Sequence, residues 1–398
     1  MKNLLIILIW LFAGIQASGS TNPRLISFDF FGQPIHFELD SSSIIRCKST
    51  TSEANIRDFY NRANGADFLP VISALKEYKA KTKPNDWLFY QLIRKTSQHL
   101  CPKSSDYLSY TLYKWYFLLA CGYDAIVTVS DSKVLLYVQC DESIYNIPFR
   151  KKGDKQYVCL NYHDYGIVDF TKELFREVTI SYPSKLSSFS YLVTQLPSFN
   201  PGKYSEKNLH FSYQNQDYLF KVKVNPDIQS IFANYPVLDY NFSFNIPISR
   251  ETYSSLIPAL KKNIKGLSTK SGVDYLMKFT RYAFGYEKDI DQFGKEKRLT
   301  PEETLLYNQS DCEDRAALFF YLVKEIYDLP MIVLSYPTHV TVAVHFKNAN
   351  GKAIIYKGDK YYICEPTPQA KDLQIGEPVP SLAKTNFDIA YAYNPGKK

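Results

Sequence analysis

The chain has 398 residues, of which 45% are apolar and 22% charged, and its formal net charge is +7. That balance excludes disorder, collagen-like repeats and coiled coil as the main architecture, and it leaves room for two or three domains. The 47 basic residues are spread along the chain rather than massed in one block, so nucleic acid is not expected as a partner.

In chain order, Met1-Lys2-Asn3 precedes an apolar run from Leu4 to Ile15, followed by Gln16-Ala17-Ser18. A basic start, a short apolar core and a small-residue exit predict a signal peptide over 1–17. The run is shorter than the ~20 residues a membrane span needs. The mature chain is therefore expected to be exported, periplasmic or secreted, with no integral membrane span.

Aromatic residues make up 16% of the chain, which favours strands and buried cores. An internal repeat then organises it. Residues 152–159 read KGDKQYVC and residues 357–364 read KGDKYYIC. Each follows an apolar helical pattern, Leu112 to Ala120 and Ala316 to Ile326, and an alternating strand pattern. Further upstream, LISFDFFGQPIHFELD over 25–40 is echoed by LHFSYQNQDYLFKVKV over 209–224, each a hairpin pattern around a polar turn. The order hairpin, helices, strands thus occurs twice. The expected fold class is α+β, two related units with a helical part packed on an antiparallel sheet. The units span 18–165 and 206–372, with a β-rich connector over 166–205 and a tail over 373–398.

The second unit carries the sharper chemistry. Asp311 precedes a helical run and predicts an N-cap, which places Cys312 at the first helical position. A helix N-terminus favours thiolate, while Asp311, Glu313 and Asp314 oppose it. Cys312 is then expected to need a histidine. His339 opens the alternating strand HVTVAVHF, and Glu365 closes the next strand pattern. Nucleophile, base and orienting acid are expected at Cys312, His339 and Glu365. His345 is a rival base, but it lies ~20 Å further along the same strand. The Cys312 backbone N–H is the first candidate for stabilising an oxyanion, with Gln309 and Gln292 weaker ones. Asp314 and Arg315 either brace the helix or face solvent. The cysteines and the six histidines show no zinc-type spacing, so no metal and no cofactor is expected.

The stretches DCEDRAALFFYLV, YPTHVTVAVHF and YYICEPT resemble the transglutaminase-like superfamily of papain-type thiol enzymes, and most of all its exported bacterial members. The resemblance covers about 275–372. It implies that Cys312 is the nucleophile, His339 the base and Glu365 the third member, where the family more often has Asp. In the first unit the repeat pairs Asp106 with Cys312, Lys133 with His339 and Leu160 with Glu365, so that copy is expected to be degenerate. The function implied is cysteine-dependent cleavage or transfer at a peptide or protein amide. The alternative is a non-catalytic peptide- or glycan-binding protein.

Overall fold

The computed structural model describes residues 23–396 except 49, 183–184, 295 and 348–350; the expected signal peptide lies outside the described residues. The first half runs β1 (Pro23–Phe30), β2 (Gln33–Asp40), α1 (Glu53–Gly65), α2 (Leu69–Thr82), α3 (Asp86–Leu100), α4 (Tyr107–Ala120), β3 (Ala125–Val129), β4 (Val134–Gln139), β5 (Ile144–Tyr145), β6 (Phe149–Lys152), β7 (Lys155–Cys159) and β8 (Arg176–Glu177). The second half begins with β9 (Ser205–Tyr213), β10 (Gln216–Val224), α5 (Asp227–Phe232), β11 (Val237–Leu238), α6 (Tyr240–Ser243), α7 (Arg250–Asn263) and α8 (Thr269–Tyr282). It continues through β12 (Gly285–Tyr286), α9 (Asp289–Phe293), α10 (Pro301–Leu306), β13 (Gln309–Ser310), α11 (Cys312–Tyr327), β14 (Met331–Tyr336), β15 (His339–His345), β16 (Ala353–Tyr356), β17 (Asp359–Cys364) and β18 (Asp388–Tyr393).

Both opening hairpins alternate exposed and buried residues along each strand, so one face lies on the helices beneath. Their turns are alike. Phe31-Gly32 and Gln214-Asn215 each hold two successive residues at positive φ, as the two-residue turn that matches strand twist requires. The β1–β2 ribbon packs on α3 and α2, and the β9–β10 ribbon packs on α8 and α7.

Each half then closes with a five-stranded antiparallel sheet. The orders are β6-β7-β4-β3-β8 and β16-β17-β15-β14-β18, the same path traced twice. Val127, Leu136 and Val158 face the first helical layer, and Val333, Val342 and Tyr362 face the second. The molecule is thus a mixed α/β protein with two such sheets. Its fifth strands come from outside the cores of the repeat. β8 lies in the connector, and β18 lies in the Pro- and Gly-containing tail, where DIAYAY pairs with β14.

The halves meet through the β5–β11 pair, Val237 opposite Tyr145 and Leu238 opposite Ile144. Ile228, Ile231, Phe232 and Leu238 belong to the same buried cluster as Trp87 and Tyr191, so the second half contributes to the first core. Among the described residues no helix is long and apolar enough to cross a membrane.

Candidate active site

Helix α11 is fixed at its start by polar chemistry and along its length by packing. Asp311 is its N-cap and accepts from the backbone N–H groups of Glu313 and Asp314. Asp314 accepts in turn from the Asp311 N–H, at 3.3 Å, which completes a capping box. The Cys312 N–H is left out of that exchange and remains available at the helix start. Ala316, Leu318, Phe319, Phe320 and Leu322 are fully buried along the helix. Gly272 on α8 permits close approach, since a Cβ there would fall 1.6 Å from the Tyr327 hydroxyl oxygen at the far end of α11.

Asp314 and Arg315 are bracing groups, not a solvated face. Asp314 also accepts from the Leu299 N–H at 2.8 Å. Arg315 is fully buried and donates to the carbonyls of Ser310, Thr280, Arg281, Phe284 and Gly285. Its guanidinium thereby ties the first turn of α11 to the end of α8 and to β12.

The remaining expected groups arrive from the sheet. His339 is the first residue of β15, and Glu365 immediately follows β17, the strand paired with β15. The imidazole Nε2 lies 2.8 Å from Glu365 Oε2. Glu365 Oε1 accepts from the Thr367 N–H at 2.8 Å, and the residue is 1% exposed. A carboxylate on Nε2 favours the tautomer with its proton there, leaving the Nδ1 lone pair free. Beneath Glu365, Arg281 donates from Nε and Nη2 to its backbone carbonyl. Arg281 also reaches Asp372 and the Leu373 carbonyl, so it locks the segment that carries the acid.

Cys312 meets the sheet at the same end. The N–H of Val340, next to His339, is directed at the sulfur and favours the thiolate. Burial, joined by the charges of Asp311, Glu313 and Glu365, works the other way and pushes the thiol up to about 12. The resting sulfur is therefore a thiol. Among the described residues no hydrogen bond of ordinary length joins that sulfur to the imidazole; the two groups share the strand end. His345 bonds the Lys360 carbonyl at 3.0 Å, further down the strand and outside this arrangement.

The comparison with the first half changes two of the expected pairings. Asp106 caps α4 as Asp311 caps α11, so Tyr107, not Asp106, stands where Cys312 stands. Val134 opens β4 as His339 opens β15, so Val134 replaces Lys133 in the pairing. Leu160 follows β7 as Glu365 follows β17. Both corrections restore the 205-residue spacing of the repeated KGDK segments, which the helix starts and the β4 and β15 strands share. Tyr107, Val134 and Leu160 thus stand where the second half has thiol, imidazole and carboxylate.

No family model and no curated protein matches the sequence.

Around the site the remaining charges are unevenly matched. Glu313 pairs with Arg298 and accepts from the Tyr240 hydroxyl at 3.0 Å. Arg298 lines a cavity of about 290 Å³ between the halves, together with His163, Tyr235, Ser243 and Leu299. Glu296 lines the same cavity, and its carboxylate and those of Asp289 and Asp311 lie within 4.8 Å of one another. Burial and the neighbouring carboxylates push Asp289 up to about 7, and burial raises Asp311 to about 6. Sequence reasoning missed Arg281 and Asp289. Both belong to segments with no recognisable motif, and only the fold brings them to the site.

Proposed function

We propose that this protein is an exported cysteine-dependent amide-bond enzyme, built from two transglutaminase-like units of which only the second is catalytic. The observation that carries the reading is the His339–Glu365 pair, its acid buried, at the strand end where the Val340 N–H meets the Cys312 sulfur. A nucleophile at a helix start, a base and a buried acid that orients it are the parts acyl transfer requires.

In this mechanism His339 Nδ1 takes the thiol proton as Cys312 Sγ attacks the amide carbonyl. Proton transfer accompanies attack, because the resting sulfur is protonated. The carbonyl π pair moves onto oxygen, which the Cys312 N–H helps to stabilise. When the C=O bond re-forms, the C–N bond breaks, and the amine leaves with the proton from the imidazolium. A thioester remains. Water, deprotonated by His339, cleaves it to acid and thiol, and a second amine gives transamidation instead. Hydrolysis of a peptide or protein amide is the preferred outcome.

The elevated thiol favours one rival. A non-catalytic peptide- or glycan-binding protein needs no activated sulfur, and burial together with three carboxylates raises this one. Alkylation of Cys312 by iodoacetamide, located by peptide mass spectrometry, separates the readings. Labelling near pH 8 that falls at least tenfold in His339→Ala supports the enzyme. Equal labelling in both proteins refutes it.

A further inference from the structure

We propose that Asp289, Glu296 and Asp311 form a subsite for the ammonium group of an amide substrate, set directly beside the nucleophile. The proposal rests on the catalytic reading above for its substrate, and it narrows that substrate to amides bearing a free primary amine near the scissile carbonyl.

Geometry comes first. The three side chains each offer a carboxylate oxygen, and these oxygens lie within 4.8 Å of one another. Three acceptors about 2.8 Å from a tetrahedral nitrogen stand about 4.6 Å apart, so one ammonium with three N–H donors fits the set. Asp311 immediately precedes Cys312 and caps its helix. A cation held there lies alongside whatever acyl group the sulfur attacks.

The second observation is an orphaned acceptor. Asp289 is 3% exposed; its Oδ2 accepts from the Lys297 N–H at 2.8 Å, while its buried Oδ1 has no hydrogen-bond partner. A buried carboxylate oxygen without a donor is costly and rare in a native fold. A ligand ammonium supplies the missing donor. Gln292, one turn further along the same short helix, also carries a buried Oε1 without a partner. Among the described residues no ion pair reaches Asp289, Glu296 or Asp311, while Glu313 beside them is paired with Arg298.

Access has the right polarity. Asp289 forms the closed floor, Asp311 is half-buried and Glu296 is exposed, so the cluster opens to solvent on one side. An ammonium is satisfied by three such oxygens, whereas a divalent cation would have to complete its shell with water.

Charged thiosulfonate reagents test this without a known substrate. Each transfers its alkylthio group to Cys312; the Sγ–S bond forms, methanesulfinate leaves and the thiol proton is released. The cationic 2-aminoethyl reagent is compared with the neutral methyl reagent and the anionic 2-sulfonatoethyl reagent, with Cys312 monitored by peptide mass spectrometry. The expected cationic-to-neutral rate ratio is ten or more in the wild type, falling to about one to three in Glu296→Gln and in Asp289→Asn. Glu296 is exposed, so its variant guards against misfolding of the other. The neutral reagent alone reports the thiol, whereas the ratio reports the subsite, so failure of the catalytic reading and failure of this one are told apart. A ratio near one in the wild type, or one unchanged by both substitutions, overturns the proposal.

Discussion

His339 Nε2 and Glu365 Oε2 lie 2.8 Å apart, and Glu365 has its second oxygen on the Thr367 N–H. The acid therefore cannot swing away from the imidazole without losing a backbone donor. Glu is one methylene longer than Asp, and its position just after β17, held through its own carbonyl by Arg281, accommodates the extra length. Glu365→Gln keeps the shape but turns a charged acceptor into an amide that can present N–H to Nε2. The expected outcome is a fall of about 100-fold or more in Cys312-dependent turnover, or in alkylation where no substrate is in hand. Circular dichroism unchanged from wild type, with reactivity also unchanged, would remove Glu365 from the mechanism.

Arg281 is the less visible half of that support. It is 1% exposed and is spent on the carbonyls of Glu365 and Leu373 and on Asp372. Arg281→Met removes the donors and leaves buried carbonyls unpaired. A loss of about 2–4 kcal/mol is expected in urea unfolding. At temperatures where the variant is folded, Cys312 reactivity should fall further than in a surface control. Normal reactivity in the folded variant would make Arg281 a purely structural residue.

Much of the framework was legible because it depends on local chemistry. The α11 start follows from Asp311 and Asp314 closing a capping box. The strands around His339 and Glu365 follow from alternation. β18 was hidden because Asp388–Tyr393 sits among prolines and glycines, and only pairing with β14 gives it a place. Arg315 was ambiguous for a similar reason. Its position on the helix is local information, but four of its five carbonyl partners, all but Ser310, come from segments the helix meets only in the fold. Arg281 and Asp289 required the same long-range assembly.

The first half has its own anomaly. Lys114 is 1% exposed on α4, its ammonium 4.5 Å from the centre of the Tyr110 ring, at the place Phe319 takes on α11. Burial, with Arg94 nearby, lowers its pKa to about 7. In the unfolded chain a lysine titrates near 10.4. Between these values the unfolded state binds more protons, so stability rises with pH across that window. Lys114→Met is expected to stabilise by a few kcal/mol at pH 6. The gain should shrink steadily by pH 9 in melting experiments. A gain independent of pH would show that packing, not the buried charge, is responsible.

Asp289 gives the opposite slope. Its carboxyl is raised to about 7 by burial and by Asp311, Glu296 and Glu313, against about 3.9 in an unfolded chain. Between those values the native state holds the extra proton, so stability falls as pH rises through the window and is lowest above about 7. Asp311, raised to about 6, contributes with the same sign. Asp289→Asn removes the charge while its amide can donate to a neighbouring carboxylate. The variant should be about 4 kcal/mol more stable than wild type at pH 8 and nearly equal to it at pH 4. Thermal melts of the two proteins at both pH values read this directly. If the subsite also binds ammonium, millimolar methylamine at pH 8 should raise the wild-type melting temperature and leave the variant unmoved, because only the wild type has the third carboxylate to offer.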